Sequence, residues 1–264
     1  GAVVSGDTPF NIISGITLTD AVGHAVVQTI NGYSLYLLNK YLPSEASEYP
    51  WSNPVLSPEY EYGATATSGK AVFRLRLELE QDRDTGYGCI PNLDANATLQ
   101  LKVDVAPIST IFTGTTVSAA SVEMRIEQDY WAPVGGATGG VPNQIVPSGF
   151  GDYLQTLVET TTVSAATENT VPITSRGGLT KGMILISRAA NVRTALPMDK
   201  VLGLVYDNNE IDAGIPLASH LDLVRRETGY YGAAPANYVQ AANTPPSIPP
   251  SIDTGVVPII FELR

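Results

Sequence analysis

The chain has 264 residues, of which 44% are hydrophobic and 16% charged, so it can fold around a substantial core. Its 26 acidic and 15 basic residues give a net charge of −11, which disfavours direct nucleic-acid binding because such a surface repels phosphate backbones. The single cysteine, Cys89, excludes an intrachain disulfide, and we interpret it as a small apolar residue in a strand rather than a reactive thiol.

Alternation of apolar and polar residues predicts strands throughout the chain. The clearest case is FRLRLELE at 73–80, where one parity is Phe or Leu and the other is Arg or Glu. Further strands are predicted at 12–18, 97–105, 115–128 and 256–264. Scattered glycines and prolines, 24 and 19 in number, indicate many turns between short strands.

Three of these strands carry more detailed predictions. In 115–128 the apolar parity changes part-way, so we expect a bulge near Ala119–Ser121. Pro258 indicates a strand start or an edge strand. In the strand that ends at Val105, the residues Leu99, Leu101, Val103 and Val105 are predicted to share a face. In 115–128 the shared face is formed first by Val117 and Ala119 and then by Val122, Met124 and Ile126. In 256–264 the inward-facing residues are Ile259, Phe261 and Leu263.

Two segments have helical spacing instead. In IPLASHLDLVRRETG, residues 215–229, Leu217, Leu221 and Val224 recur on one face, Pro216 suits the first turn and Gly229 suits the end. In NGYSLYLLNKYL, residues 31–42, the face is Leu35, Leu38 and Leu42, although the aromatic residues would also suit a strand. No stretch approaches the roughly 20 apolar residues that cross a bilayer.

The chain is predicted to divide into two domains of similar size. The segment 131–151, WAPVGGATGGVPNQIVPSGFG, is rich in Gly and Pro, and we place the first domain at 1–133, a linker at 134–150 and the second domain at 151–264. Each half suits an eight-stranded sandwich, and SGKAVFRLRLELE is echoed by RGGLTKGMILISR. The long segments 43–69 and 231–255 are predicted to be loops that either pack on their own domain or form contacts between lobes or between copies.

Residues that could carry catalysis or bind a metal are few and scattered. The two histidines, His24 and His220, lie in different predicted domains, and His220 is interpreted as a helix-surface or hydrogen-bonded core residue. Two carboxylate pairs, Glu78 with Glu80 and Glu123 with Glu127, have a spacing that a solvated strand face produces without catalysis. No GxSxG elbow is present, and SGFG at 148–151 is interpreted as linker.

Three short motifs resemble known sites only in part. DRDTG at 82–86 and DNNEID at 207–212 look like calcium loops, but neither fits the twelve-residue pattern, and Ile211 occupies a ligand position in the second. We interpret both as acidic turns between strands. NAT at 96–98 is a glycosylation sequon interpreted as silent, because the opening GAVVSGDTPF lacks a signal peptide. We therefore expect no catalytic, cofactor-binding or metal-binding residues, and no cofactor.

Four stretches resemble the double jelly-roll major capsid proteins of tailless, membrane-containing double-stranded DNA phages, the lineage of tectiviruses and corticoviruses. They are GCIPNLDANATLQLKVDVAP at 88–107, QDYWAP at 128–133, VPITSRGGLTKGMILISR at 171–188 and VLGLVYDNNEIDAGIPLASHLDLVRRETG at 201–229. In pattern the resemblance covers most of residues 70–264. It departs at the amino end, where the membrane-facing helix of some relatives has no counterpart.

The resemblance implies an all-β chain of two tandem eight-stranded jelly rolls, with one or two short helices in loops. It implies a homotrimer whose six lobes form a pseudo-hexagonal capsomer of an icosahedral virion shell, synthesised in the host cytoplasm. The implied partners are other copies of the chain, minor capsid or vertex proteins, and an internal lipid membrane. A coat separated from its genome by a vesicle needs no basic arm, which agrees with the acidic charge.

Two other functions are compatible with the sequence. A carbohydrate-binding β-sandwich module would use exposed aromatic residues such as Trp51 or Trp131 to stack on sugars, and would be monomeric. A hydrolase on a β-sandwich would need converging acid, base or metal-binding groups, and the sequence offers no such group. The capsid interpretation therefore predicts that the chain is not an enzyme.

Overall fold

A computed structural model describes residues 3–4, 7–20, 23–42, 60–64, 69–80, 88–90, 98–107, 112–113, 121–128, 156, 158–163, 169–173, 180–189, 192–197, 200–206, 209–228 and 253–261. Within these residues the regular structure is predominantly strand, with two α-helices, which agrees with the predicted all-β class. The strands are β1 (Val3–Val4), β2 (Ile13–Thr19), β3 (Ala25–Ile30), β4 (Tyr60–Ala64), β5 (Gly69–Phe73), β6 (Gln100–Val105), β7 (Phe112–Thr113), β8 (Gly182–Ile186), β9 (Arg188–Ala189), β10 (Val192–Arg193), β11 (Val201–Tyr206), β12 (Asn209–Pro216) and β13 (Val256–Ile260). The helices are α1 (Gly32–Tyr41) and α2 (Leu217–Thr228), and one 3-10 turn spans Phe10–Ile12.

Every strand pair among the described residues is antiparallel. Strand β2 lies between β3 and β6 in a three-stranded sheet, and the remaining pairs are β1–β7, β4–β5, β8–β13, β9–β10 and β11–β12. Two residues separate β11 from β12, and Tyr206 pairs with Asn209 at the end of this hairpin. Of DNNEID at 207–212, interpreted as an acidic turn between strands, residues 209–212 instead lie in β12, and residues 207–208 lie outside the described residues.

An amino-terminal core forms around the β3–β2–β6 sheet. Its buried residues are Ile12, Ile13, Ile16, Leu18, Val26, Val27, Ile30 and Leu35. The strand predicted at 12–18 is therefore confirmed as β2, whose outward Thr17 shares a hydrogen bond of 3.0 Å with Thr29. Burial of this many branched aliphatic side chains is the main stabilising contribution here, at roughly 1.5–3 kcal/mol for each.

Helix α1 lies between this core and a second one. Asn31 caps its N-terminus, because the side-chain oxygen of Asn31 accepts a hydrogen bond of 2.8 Å from the Ser34 amide. Leu35 points into the amino-terminal core, whereas Tyr33, Leu37 and Tyr41 point into the second. The helix predicted at 31–42 is confirmed, but it buries two faces rather than the single leucine face predicted.

The second core joins residues from both predicted domains, and we name it the shared core. Its buried residues are Phe10, Tyr33, Leu37, Tyr41, Leu217, Leu221, Val224, Val256 and Val257. Helix α2 supplies Leu217, Leu221 and Val224, the face predicted from the sequence. Stacking of Phe10 on Tyr36, with ring centroids 4.0 Å apart, attaches the segment before β2 to α1.

The carboxyl-terminal strand β13 differs from its prediction. Val256, Val257 and Pro258 are buried in succession, whereas Phe261, predicted to face inward, is 41% exposed. The alternation rule fails because the start of β13 is covered on both faces, so both parities are apolar. Pro258 does occupy an edge strand among the described residues, as predicted.

Three other strand predictions are matched in part or not at all. Of the strand predicted at 73–80, only Phe73 belongs to β5. Leu75, Leu77 and Leu79 still pack against the amino-terminal core. Strand β6 matches 97–105, but Leu101 and Val105 are exposed because no described strand covers the outer edge of β6. The described part of 115–128 contains no strand, and the region of the predicted bulge at 119–120 lies outside the described residues.

The predicted loops and boundary fall mostly outside the described residues. Strand β4 lies within the segment 43–69, so that part is a hairpin with β5 rather than loop. The linker 134–150 and most of 231–255 are not among the described residues, and the domain limits stay predictions. In the described residues neither α-helix is long and apolar enough to cross a membrane.

Candidate functional site

Five charged side chains converge beside the shared core, and we name them the charge cluster: Asp7, Lys40, Arg188, Arg193 and Asp253. They come from five segments, namely the chain before β2, α1, β9, β10 and the turn before β13. Four of the side chains are at most 14% exposed, and Arg188 is 34% exposed. Charged groups are rarely so buried unless they are paired.

Asp7 binds two arginines that face each other across a hairpin. Arg188 pairs with Arg193 in the β9–β10 register, so their side chains leave the same face. The two carboxylate oxygens of Asp7 accept separate hydrogen bonds, at 2.6 Å from Arg188 Nη2 and 2.8 Å from Arg193 Nε. Asp7 thereby offsets the repulsion that two cations in opposing positions would otherwise produce.

Asp253 forms the second half of the charge cluster. Its Oδ2 accepts a hydrogen bond of 3.1 Å from Lys40 Nζ, and its Oδ1 lies 3.7 Å from Arg193 Nη1. The same Nη1 donates to the backbone carbonyl of Thr254 at 3.1 Å. Arg193 therefore connects the two carboxylates, and the cluster contains three cations and two anions.

Tyrosines of α1 form the apolar side of the charge cluster. The Arg193 guanidinium lies 4.9 Å from the Tyr33 ring centroid, and Lys40 Nζ lies 5.2 Å from that of Tyr41. The Asp253 amide donates a hydrogen bond of 3.3 Å to the Tyr41 hydroxyl. Tyr33 and Tyr41 are eight residues apart, about two helical turns, which places them on one side of α1.

Two pKa values change because of this environment. Burial, followed by the charge of Asp253, raises the pKa of Tyr33 well above its usual value, so this phenol is neutral at neutral pH. Burial alone would lower the pKa of Arg193, but Tyr33, Asp253 and Asp7 outweigh burial and the pKa is raised. The Tyr33 hydroxyl is buried and makes no hydrogen bond.

The charge cluster consists of ion pairs between side chains that are mostly buried. Each of its two carboxylates accepts hydrogen bonds from cationic side chains. The chemistry present is mutual charge neutralisation between segments that are distant in sequence.

The two histidines noted in the sequence do not meet. His24 lies at the turn between β2 and β3, with its side chain 76% exposed and Nδ1 3.3 Å from Asp20 Oδ2. His220 is buried on α2, and its Nε2 donates to the carbonyl oxygen of Pro258 at 2.7 Å, since a carbonyl can only accept. The interpretation of His220 as a hydrogen-bonded core residue is confirmed.

The carboxylate pairs and the cysteine also lie apart from the charge cluster. Glu123 and Glu127 are exposed, and Glu127 pairs with Arg125 at 2.9 Å. Glu78 and Glu80 are half-buried, and Cys89 Sγ donates a weak hydrogen bond to Glu80 at 3.8 Å. Cys89 is not in a described strand, so that part of its interpretation is wrong.

Several motifs fall outside the described residues: DRDTG at 82–86, SGFG at 148–151, and Trp51 and Trp131. Thr98 of the sequon is exposed and lies just before β6. Among the described residues, no group of three or more His, Cys, Asp or Glu side chains could hold a metal ion. A shallow depression on the outer face of α2 is lined by Ala218, Ser219, Asp222, Leu223 and Arg226.

Comparison of the chain with known protein families, curated proteins and solved structures found no match. Function is therefore inferred from the residues themselves. The charge cluster was not predicted from the sequence, because Asp7 and Arg193 are 186 positions apart. Only Arg188 and Arg193 could have been related to each other from nearby sequence, because they lie opposite each other in a short hairpin.

Proposed function

We propose that the chain is a major capsid protein that builds an icosahedral virion shell from pseudo-hexagonal homotrimers. In this proposal residues 1–133 and 151–264 form tandem eight-stranded jelly rolls joined by 134–150. The four stretches that resemble double jelly-roll capsid proteins support it. So does the uniformly antiparallel pairing of the described strands, since jelly rolls are antiparallel.

The observation that supports a structural role is that the buried charges form ion pairs with one another. In the described residues the charge cluster joins five segments of one chain, from Asp7 to Asp253, through ion pairs between opposite charges. The shared core joins the same parts of the chain through apolar contacts. Such an arrangement resists separation of the two halves, which a shell subunit requires.

The net charge of −11 supports the proposed partners. An acidic coat suits a virion in which an internal lipid membrane lies between shell and genome, because the coat then needs no contact with phosphates. The remaining partners in this proposal are neighbouring capsomers and minor proteins at the vertices. The chain is located in the virion and acts without catalysis or cofactor.

Light scattering of the purified protein tests the trimer. We expect a mass of three times the 28.0 kDa chain, and six-lobed particles by negative-stain electron microscopy. A monomer at every concentration would refute the proposal. A dimer without lobed particles would refute it equally.

A carbohydrate-binding β-sandwich module is the alternative. It predicts a monomer that binds glycans through Trp51 or Trp131, both outside the described residues. A glycan array with Trp51→Ala and Trp131→Ala as controls separates the two functions. Binding that disappears in one tryptophan variant of a monomeric protein would establish the module, and a panel of hydrolase substrates tests for activity.

A further inference from the structure

Two features of the described chain stand out: an open strand edge and an exposed segment with a strand-like pattern. One is the outer edge of β6, the last strand of the β3–β2–β6 sheet. The other is residues 121–128, SVEMRIEQ, which we name the SVEMRIEQ segment. All eight of its residues are exposed, although its alternation is that of a strand with one buried face.

Strand β6 leaves apolar surface uncovered next to its open edge. Val103 packs against the amino-terminal core, but on the same side Leu101 is 38% exposed and Val105 is 47% exposed. An open edge also presents unpaired backbone donors and acceptors, which a further strand would satisfy. The edge of β13 is different, because Pro258 interrupts it and His220 occupies the Pro258 carbonyl.

The SVEMRIEQ segment also exposes apolar side chains, which could cover those of β6. Val122, Met124 and Ile126 lie on one parity and are 52%, 44% and 64% exposed. Arg125 and Glu127 lie on the other parity, where they form an ion pair of 2.9 Å within the segment. The segment is not a strand in the described structure, and a single strand formed from it would be unstable in water, because its apolar face and backbone groups would find no partner.

The charges of the two strands match in one antiparallel register. Strand β6 carries Lys102 and Asp104, which form an ion pair of 3.0 Å. When Lys102 is placed opposite Glu127, Asp104 falls opposite Arg125, so each charge meets its opposite. The same register places Val103 opposite Ile126 and Val105 opposite Met124 on the other face.

We propose that the SVEMRIEQ segment of one copy of the chain adds to the outer edge of β6 in a second copy as an antiparallel strand. Among the described residues neither element is covered, and a second copy of the chain would cover both. Donation from each copy to the next is a head-to-tail contact, which closes into a ring under three-fold rotation. This inference rests on the proposed trimer and identifies the contact that holds it.

Cysteine cross-linking tests the pairing and its register. With Cys89→Ser in every chain, protein carrying Lys102→Cys is mixed with protein carrying Glu127→Cys and oxidised. Opposed positions in antiparallel strands have the Cα separation that a disulfide requires, so we expect a cross-linked species of two chains. Glu123→Cys is the matched control, because its position is four residues out of register and should give no cross-link with Lys102→Cys.

Charge reversal tests the same contact without cross-linking. Arg125→Glu should weaken association on the order of tenfold, because an attractive pair with Asp104 becomes a repulsive one. Adding a second protein that carries Asp104→Lys should restore association in the mixture. Arg226→Glu, the same charge change on exposed α2, should leave association unchanged.

The outcomes separate this inference from the proposed function. A trimer in which Lys102→Cys and Glu127→Cys form no cross-link overturns the strand addition and leaves the capsid proposal intact. A cross-link between copies in a protein of twice the chain mass supports the strand addition and refutes the trimer. A disulfide that forms only within a chain carrying both cysteines overturns the strand addition, because the pairing is then intrachain.

Discussion

Asp7 and Arg193 are 186 positions apart in the chain, and their side chains are joined by a hydrogen bond of 2.8 Å between Nε and Oδ1. Arg193 is 7% exposed and Asp7 14% exposed, so this ion pair is largely withdrawn from water. Removing one partner of such a pair is costly, because it leaves the other charge buried. This ion pair therefore holds the segment before β2 to the β9–β10 hairpin, and its loss should strongly lower the free energy of unfolding.

Replacement of Arg193 by methionine tests this directly. The side chain is of similar length, but Asp7 and Asp253 each lose a cation, so we expect the free energy of unfolding to fall by about 3 kcal/mol. Urea unfolding of wild type and Arg193→Met measures the difference. Asp7→Asn combined with Arg193→Met should cost less than the sum of the two single changes, because the pair interacts.

Arg226→Met is the matched control for that prediction. Arg226 also forms an ion pair, with Asp222 at 2.6 Å, but the two side chains are 71% and 51% exposed. Exposed pairs contribute roughly 0.2–1 kcal/mol, so this variant should unfold close to wild type. Equal losses for the two arginine variants would contradict the role assigned to the charge cluster.

The parts of the fold that the sequence predicts well are those specified locally. Helix α2 follows from the spacing of Leu217, Leu221 and Val224, and it begins and ends within two residues of the predicted segment 215–229. Pro216, predicted for the first turn, is instead the last residue of β12. Strand β2 follows in the same way from alternation. Each pattern is a property of adjacent turns or residues, so no knowledge of distant contacts is needed.

The parts that the sequence does not predict depend on distant contacts. Helix α1 buries Tyr33 and Tyr41 as well as Leu35 because it lies between two cores, and a single-face pattern does not describe that position. Strand β13 is misjudged for a similar reason, since its start is buried on both faces. The charge cluster has no local signature at all, because Lys40 and Asp253 are 213 positions apart.

Replacement of Tyr33 by phenylalanine should have an effect that depends on pH. The hydroxyl is buried without a hydrogen bond, so its removal should leave stability at neutral pH unchanged or slightly higher. The pKa of Tyr33 is raised in the folded state, so above about pH 10 the unfolded chain loses this proton while the folded chain keeps it. Wild-type stability should therefore fall with rising pH.

The difference between wild type and Tyr33→Phe isolates this contribution from that of the other tyrosines. Urea unfolding between pH 8 and pH 11 should show a difference that grows by up to about 1.4 kcal/mol per pH unit above pH 10. Parallel stability curves for the two proteins over that range would show that the Tyr33 pKa is not raised.

Gly255 should tolerate alanine less well than Gly23. Both residues have a positive φ, 74° and 93°, which disfavours any side chain by roughly 1–2 kcal/mol. At Gly255 an added Cβ would also lie 2.6 Å from the Thr194 carbonyl oxygen, whereas at Gly23 nothing lies within 4 Å. Thermal unfolding should therefore show a clearly lower melting temperature for Gly255→Ala, and a similar loss for both variants would argue against the close contact beside the charge cluster.

His220 should act through its hydrogen bond to Pro258 rather than through a metal. His220→Leu leaves the Pro258 carbonyl without its donor beside the shared core, so we expect a loss of about 1–3 kcal/mol. His220→Gln retains a side-chain N–H donor and should lose less. Added Zn²⁺ should leave the melting temperature of wild type unchanged, because His220 Nε2 is engaged with the Pro258 carbonyl. A zinc-dependent rise that disappears in His220→Gln would instead assign this histidine to a metal site.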